Sequence, residues 1–162
     1  MKAGINSTIT VKVKKLAHWR DNIARLPFYA TEGSAGMDLP ACIPDAVLIP
    51  PWSRAMIPTG LAIELPSPRY VALVFPRSGL ASRCGVSLAN AVGVIDSDYK
   101  GEIICSVQNN SPEPFTVNPG DRIAQILFLP VVQAILETVT ELAPSRRGEK
   151  GFGSTGVGKE GC

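Results

Sequence analysis

Residues 93–101 read GVIDSDYKG and place two carboxylates and a tyrosine within four positions of one another. A carboxylate held beside a substrate can act as a general base toward water. Short apolar runs flank the segment, which predicts a β-hairpin with Asp96 and Tyr99 in its turn. On the return strand, Ile104 lies on an otherwise polar face, where it could line a pocket for a flat base. A plain polar turn accounts for the same residues.

Residues 76–79 read PRSG and follow an apolar run. We expect a short helix over residues 79–83 with Ser78 as its N-cap. The N–H groups at a helix N-terminus suit phosphate, and the Arg77 guanidinium adds donors that match phosphate oxygens. An ordinary strand-to-helix turn with a solvated arginine is the alternative interpretation.

Two further segments carry polar groups that need a purpose. Residues 120–125 read GDRIAQ, and Gln125 stands among apolar neighbours. A buried glutamine needs a hydrogen-bond partner, which the sequence leaves open between a ligand and the backbone. Residues 35–39 read AGMDL, a glycine turn followed by the single carboxylate of Asp38.

The composition changes after residue 143. Residues 144–162 hold six glycines and few aliphatic side chains, so we predict a domain over residues 1–143 and a flexible C-terminal arm over 144–162. Within the arm, residues 147–156 read RGEKGFGSTG. Glycines, hydroxyls and an arginine can wrap a polyphosphate with backbone N–H groups.

The composition also limits the function. A formal net charge of +2 argues against a nucleic-acid coat or a polybasic membrane anchor. The apolar runs are too short for a transmembrane helix. The 4 cysteines form no CxxC pair, which indicates a reduced, cytoplasmic protein. His18 is the only histidine, so Ser–His or Cys–His catalysis has only one possible base.

The elements that must position these segments are short strands. An alternating pattern over residues 8–16 predicts a half-buried strand. Further apolar runs, separated by turn residues, cover 46–49, 55–65, 70–75, 86–91, 102–108, 115–117 and 122–136. With 15 glycines and 14 prolines as punctuation, this spacing predicts an all-β sandwich or barrel with one short helix.

Taken together and in this order, AGMDLPA, PRSGLA, GVIDSDYKGEI, GDRIAQ and RGEKGFGSTG resemble the five motifs of the trimeric dUTPase family. The resemblance implies a jelly-roll-like β-sandwich assembled as a homotrimer, with each arm closing over a neighbouring subunit's active site. It also implies hydrolysis of dUTP to dUMP and pyrophosphate, which keeps uracil out of DNA and supplies dUMP for thymidylate synthesis.

The resemblance assigns roles by position. The residues that match phosphate contacts are Arg77, Ser78, Gly79 and Gln125. Those that match the uracil pocket are Asn90, Val94, Ile95 and Ile104. Those that match the arm are Arg147, Phe152, Gly153 and Ser154, with Phe152 over uracil.

Two residues carry the implied chemistry. Asp96 matches the residue that activates the attacking water and contacts the sugar 3′-hydroxyl. Tyr99 matches the aromatic ring that packs against deoxyribose and leaves no room for a 2′-hydroxyl. The implied cofactor is Mg²⁺ held by phosphates and waters, with Asp38 in its outer shell. A dCTP deaminase of the same superfamily and a non-enzymatic nucleotide-binding trimer are the competing hypotheses.

Overall fold

The computed structural model describes residues 8–145 and 148–149. Its regular structure in that part of the chain consists of short strands and a single short helix. The strands are β1 (Lys12–Lys15), β2 (Met37–Pro40), β3 (Val47–Ile49), β4 (Arg54–Pro58), β5 (Leu61–Glu64), β6 (Tyr70–Phe75), β7 (Val86–Leu88), β8 (Gly93–Ile95), β9 (Ile104–Asn109), β10 (Phe115–Val117) and β11 (Arg122–Pro130). The helix is α1 (Ser78–Cys84), between β6 and β7.

The described strands pair antiparallel in four groups. A four-stranded sheet has the order β2-β11-β6-β8, and a three-stranded sheet has the order β4-β9-β7. Two further pairs, β1 with β5 and β3 with β10, complete the set. Neighbours in a sheet are mostly distant in sequence, as long connections between sheets require. The result is a β-sandwich of jelly-roll type, and the predicted all-β fold is confirmed.

The core lies between the sheets because each strand sends alternate side chains inward. On β9, Cys105 and Val107 are buried, whereas Ile104 on the opposite face is exposed. Ala124 and Ile126 of β11 join the same buried cluster from the four-stranded sheet. The alternation predicted around Ile104 is therefore confirmed, and it leaves that apolar side chain on the outside.

Several strand boundaries differ from the sequence prediction, and the three largest differences are the following. The run over residues 55–65 is two strands, because Gly60 turns the chain with a φ of 69° that side chains rarely adopt. The last strand ends at Pro130 rather than at residue 136. The N-terminal strand covers only Lys12–Lys15, where Lys12 lies opposite Glu64 on β5.

The chain divides into two compact units, Met1–Val132 and Gln133–Cys162. In the described part of the second unit the backbone forms neither helix nor strand, and Ile135, Leu136 and Leu142 are almost fully exposed. The described portion of the chain contains no helix long and apolar enough to span a membrane.

Candidate active site

A carboxylate on β2 holds two arginines in place. Asp38 accepts a hydrogen bond at Oδ1 from Nε of Arg77 over 2.8 Å and another at Oδ2 from Nη1 of Arg122 over 3.0 Å. Arg77 also donates to the Arg122 carbonyl over 3.1 Å. The Asp38 side chain is 13% exposed, so these charge-assisted bonds form in a partly desolvated place. Two guanidiniums against one carboxylate leave the cluster positively charged.

The two arginines border a cleft of about 600 Å³ at the end of β6. It brings together the residues predicted to lie on the phosphate side of the site, together with Arg122. The polar residues along the cleft include Asp38, Arg77, Ser78, Arg122 and Gln125, with Gly79 beside them. Their predicted roles toward a ligand remain predictions, but their proximity to one another is a feature of the fold.

The helix begins one residue earlier than predicted. Arg77, with φ of −90° and ψ of 128°, is the N-cap, and Ser78 is the first helical residue. The prediction that Ser78 caps the helix is therefore wrong, and the cap has no side-chain hydrogen bond. The first helical bond runs from the Ala81 N–H to the Arg77 carbonyl over 3.0 Å. The preceding N–H groups have no partner within the helix and stand beside the cleft.

The amide of Gln125 has a backbone partner. Its Nε2 donates to the Pro76 carbonyl over 3.0 Å, across the pair formed by β11 and β6. This bond ties the start of the Arg77 segment to β11. The question that the sequence left open is thus answered in favour of the backbone for the donor end of this side chain.

The Asp96 segment joins two different sheets. β8 pairs with β6, whereas β9 pairs with β4 and β7, so the predicted hairpin is wrong. The turn is closed by a hydrogen bond of 3.2 Å from the Tyr99 N–H to the Asp96 carbonyl. Asp96 is exposed, and in the described part of the chain no side chain bonds to its carboxylate.

Three exposed apolar or aromatic side chains lie in this turn or in the strands on either side of it. Val94 is 61% exposed, Ile104 is 46% exposed and Tyr99 is 44% exposed. Asn90 is also exposed, in the loop that precedes β8, and Ile95 is partly buried. The turn and the strands on either side of it therefore carry exposed apolar side chains as well as an exposed carboxylate, a combination that suits a flat ligand with a polar edge.

The cleft and the turn lie at opposite ends of one strand pair. Ala72 of β6 lies opposite Ile95, and Asp96 follows Ile95 directly. Arg77 instead follows the other end of β6, beyond Phe75. Three residues of strand, or about 10 Å, separate Ala72 from Phe75. One copy of the chain consequently holds the basic cleft and the carboxylate turn apart.

Arg122, Glu102 and His18 make contacts near this site that the sequence pattern does not indicate. Arg122 lies within the GDRIAQ segment, yet no role was assigned to it. Glu102 and His18 pair over 3.0 Å, although they are 84 residues apart in sequence.

Burial raises the pKa of the Cys105 thiol to about 12, so this neighbour of Ile104 stays protonated and is not a nucleophile. The predicted arm residues Arg147, Phe152, Gly153 and Ser154 lie outside the described residues.

A basic cleft with hydroxyl and amide groups suits an anion, and the exposed apolar surface beside Asp96 suits a planar group. The fold and the site together define an all-β protein of the nucleotide-binding class. The model of the dUTPase family matches residues 22–156, and the chain belongs to the dUTPase family.

Relatives and solved structures agree with this assignment. The chain is 54% identical to the deoxyuridine 5′-triphosphate nucleotidohydrolase of Legionella pneumophila over 81% of this chain and 86% of that protein. The structure of the Staphylococcus bacteriophage 80alpha dUTPase with dUpNHpp is similar, with a TM-score of 0.81 and 29% identity over 93% of this chain and all of that one. A mutant dUTPase of phage phi11 of S. aureus, described with a structural Mg(II) ion, has a TM-score of 0.72 at 25% identity, covering 84% of this chain and all of that one.

Proposed function

We infer that this member of the dUTPase family hydrolyses dUTP to dUMP and pyrophosphate. The observation that carries the inference is the pair of arginines fixed by one carboxylate at the mouth of the cleft. Hydrolysis of a phosphoanhydride needs charge neutralisation and in-line positioning more than a protein nucleophile. A cluster that is positively charged and held rigid by hydrogen bonds supplies both.

The triphosphate lies in the basic cleft in this proposal. Arg77 and Arg122 neutralise phosphate oxygens, with guanidinium planes oriented by Asp38. Ser78 offers a hydroxyl that the helix cap does not use, and Gly79 offers a backbone N–H with open space above its Cα. Gln125 holds the segment in register through Pro76, and its side chain lines the same cleft.

The nucleoside lies against the turn between β8 and β9. Val94, Ile95 and Ile104 form the apolar wall for uracil, and Asn90 with the adjacent backbone reads its polar edge. Tyr99 packs against the deoxyribose and excludes a 2′-hydroxyl. A tight wall also clashes with the 5-methyl group of thymine, and cytosine leaves buried polar groups unpaired.

Asp96 is the catalytic base in this scheme. Its exposed carboxylate accepts a proton from a water molecule that attacks the α-phosphorus, with pyrophosphate as the leaving group. The same side chain accepts a hydrogen bond from the sugar 3′-hydroxyl, which fixes the distance between base and phosphate. The turn that carries Asp96 is held at both ends by strands of the sandwich, β8 and β9.

Mg²⁺ is the proposed cofactor. In the described part of the chain no three acidic, histidine or cysteine side chains cluster as ligands, and both Asp38 oxygens accept hydrogen bonds from arginines. Because both Asp38 oxygens already accept hydrogen bonds, phosphate oxygens and waters are left as ligands, and Mg²⁺ prefers these to a protein cage. When bound, the ion would supply positive charge that neutralises the phosphate groups. Asp38 contributes from the outer shell by orienting the arginines.

The proposed assembly is a homotrimer with shared active sites. Because one copy holds Ala72, opposite the residue before Asp96, about 10 Å from Phe75 at the cleft end of β6, a site built from two copies can bring the cleft and the turn to the same nucleotide. The exposed apolar side chains of Ile135 and Leu136 are typical of an interface that another subunit covers. The arm, residues 144–162, then closes over a neighbouring subunit's site, with Arg147 and Ser154 on phosphate and Phe152 and Gly153 over uracil.

The proposed partners are dUTP, dUMP and pyrophosphate, without nucleic acid or membrane, in the cytoplasm. The near-neutral net charge of +2 supports the proposal that the protein does not bind nucleic acid. The unpaired thiols of Cys42, Cys84 and Cys105 support a reducing compartment.

Pyrophosphate release with dUTP, dTTP, dCTP and UTP, measured side by side, tests the function. We expect turnover with dUTP and little with the other three. Ammonia release from dCTP would identify a deaminase instead. Tight nucleotide binding without turnover of any of the four would identify a binding protein.

A further inference from the structure

The Tyr99 ring lies directly over a glycine. A Cβ added to Gly101 would stand 2.5 Å from the Tyr99 hydroxyl oxygen, 2.7 Å from Cζ and 3.0 Å from Cε2. All three atoms belong to one phenol ring, so the ring rests on the bare backbone at this position. The φ of Gly101 lies outside the left-handed region. An alanine at this position would therefore clash with the ring without straining the backbone.

The same ring is held by its hydroxyl group. Tyr99 Oη donates to the Glu102 carbonyl over 2.8 Å. The Glu102 side chain is 17% exposed, and its Oε1 accepts a hydrogen bond from the Gly60 N–H over 2.7 Å. Since a carboxylate oxygen only accepts, His18 Nε2 donates to the same atom over 3.0 Å. The peptide that holds the tyrosine is therefore anchored to the turn between β4 and β5.

This anchor is continuous with the core. The next residue, Ile103, is buried, and its N–H donates to the Leu61 carbonyl over 2.8 Å. Its own carbonyl accepts from the buried Thr59 hydroxyl over 2.6 Å. The Tyr99 ring thus has a fixed position relative to the sandwich, although 44% of its surface is exposed.

We propose that Gly101 and Glu102 are positioning residues that set the distance between the Tyr99 ring and the sugar, and so set the preference for deoxyribose over ribose. This proposal rests on the role of Tyr99 given under Proposed function. Gly101 allows the ring to lie low over the backbone, and Glu102 fixes it there through its carbonyl. A Cβ at position 101 would push the Tyr99 ring away from the backbone. This would displace the group that excludes the 2′-hydroxyl and break the hydrogen bond from Tyr99 Oη to the Glu102 carbonyl.

The test compares Gly101→Ala with Gly33→Ala, a matched control. A Cβ on Gly33 meets nothing within 4 Å. The values of kcat/KM for dUTP and UTP are measured for the wild type and both variants. We expect Gly101→Ala to lower the dUTP-to-UTP ratio by about tenfold or more, whereas Gly33→Ala leaves it unchanged. A folded Gly101→Ala protein with the wild-type ratio and KM would overturn the role of Gly101.

Glu102 is tested by rescue. Glu102→Gln retains an oxygen that accepts from the Gly60 N–H, whereas Glu102→Ala removes it. We expect the alanine variant to lower the ratio by about threefold or more and the glutamine variant to retain it. Equal ratios in the two variants would overturn the role of the Glu102 side chain.

Two further results keep the outcomes distinct. If Gly101→Ala fails to fold, Tyr99→Phe removes the hydrogen bond from the hydroxyl and keeps the ring. A ratio lowered to the same extent as in Glu102→Ala supports the positioning role of Glu102, and an unchanged ratio overturns it. If the wild type itself does not prefer dUTP over UTP, the role proposed for Tyr99 fails, and this inference fails with it. A wild type that discriminates, with variants that discriminate equally, rejects only the positioning inference.

Discussion

Arg77 and Asp38 form the ion pair that organises the basic cleft, with 2.8 Å between Nε and Oδ1. The two residues are 39 positions apart in sequence and come from β2 and from the segment that joins β6 to α1. Because β2 and β6 both flank β11, the pair bridges three strands of one sheet. The arginine is consequently oriented before any ligand arrives, which lowers the entropic cost of binding.

Replacing Asp38 with Asn should damage both stability and turnover. The variant leaves Arg77 and Arg122 close together without a compensating charge. We expect the free energy of unfolding to fall by about 2 kcal/mol, since the amide keeps only one of the two acceptor oxygens and loses the negative charge. We also expect kcat/KM for dUTP to fall by about a hundredfold, because the guanidiniums are no longer oriented. Urea unfolding and pyrophosphate release measure the two effects.

The matched control for that variant is Asp45→Asn, an exposed aspartate in the loop between β2 and β3. It should behave as the wild type in both assays. Equal losses in Asp38→Asn and Asp45→Asn would show that the Asp38 cluster has no special role.

Asp96→Asn should abolish most of the turnover and leave dUTP binding in place. The amide has nearly the same shape as the carboxylate, but it cannot accept a proton from water. Loss of a general base is expected to lower kcat by about a hundredfold to ten-thousandfold. Binding of dUTP, measured by calorimetry, checks that the site is intact. Asp98→Asn, two residues further along the same turn, is the control and should retain wild-type kcat. A reversal of the two results would transfer the role of base to Asp98.

Deleting residues 147–162 should reduce turnover strongly and leave the proposed trimer intact, because the arm is expected to close the site and exclude water. Size-exclusion chromatography with light scattering reports the assembly, and pyrophosphate release reports the activity. A shorter deletion of residues 157–162, beyond the family match that ends at residue 156, is the control and should keep full activity. A monomeric product of the longer deletion would show instead that the arm holds the trimer together.

The sequence predicts the fold well where short-range patterns decide it. The strand Tyr70–Phe75 has the predicted limits because Pro66, Ser67 and Pro68 end the preceding run and Pro76 ends the strand itself. Ile104 was correctly predicted to lie outside, since strand alternation depends only on neighbouring residues. Local chemistry was sufficient in both cases.

Features that depend on distant residues were not predictable in the same way. Two strands joined by a short turn normally pair, yet β8 and β9 join different sheets, and nothing in the turn itself reveals this. The partner of Gln125 is the carbonyl of Pro76, 49 residues away. The role of Arg122 likewise depends on Asp38, which reaches it only because β2 pairs with β11. Such contacts follow from sheet order, which the pattern of apolar runs does not encode.

The buried thiol of Cys105 should make stability depend on pH in the alkaline range. Burial raises its pKa from 9.0 in the unfolded chain to about 12 in the folded protein. The folded state therefore keeps a proton that the unfolded state releases, and the stabilisation that is present below pH 9 is lost as the pH rises toward 12. Relative to Cys105→Ala, the free energy of unfolding should fall by up to about 1.4 kcal/mol per pH unit in this window.

Urea titrations of both proteins at several pH values measure that difference, and the comparison cancels the titration of other groups. Residue-specific mass spectrometry after brief alkylation at pH 8 gives an independent check. Exposed Cys84 should be modified, whereas Cys105, protonated and 2% exposed, should remain unmodified. Rapid modification of Cys105 in the native protein, or parallel pH profiles for the two proteins, would show that the thiol is accessible to solvent. The core between the two sheets would then be open at β9, and the apolar wall that Ile104 provides would not have the rigid support that the proposed uracil pocket requires.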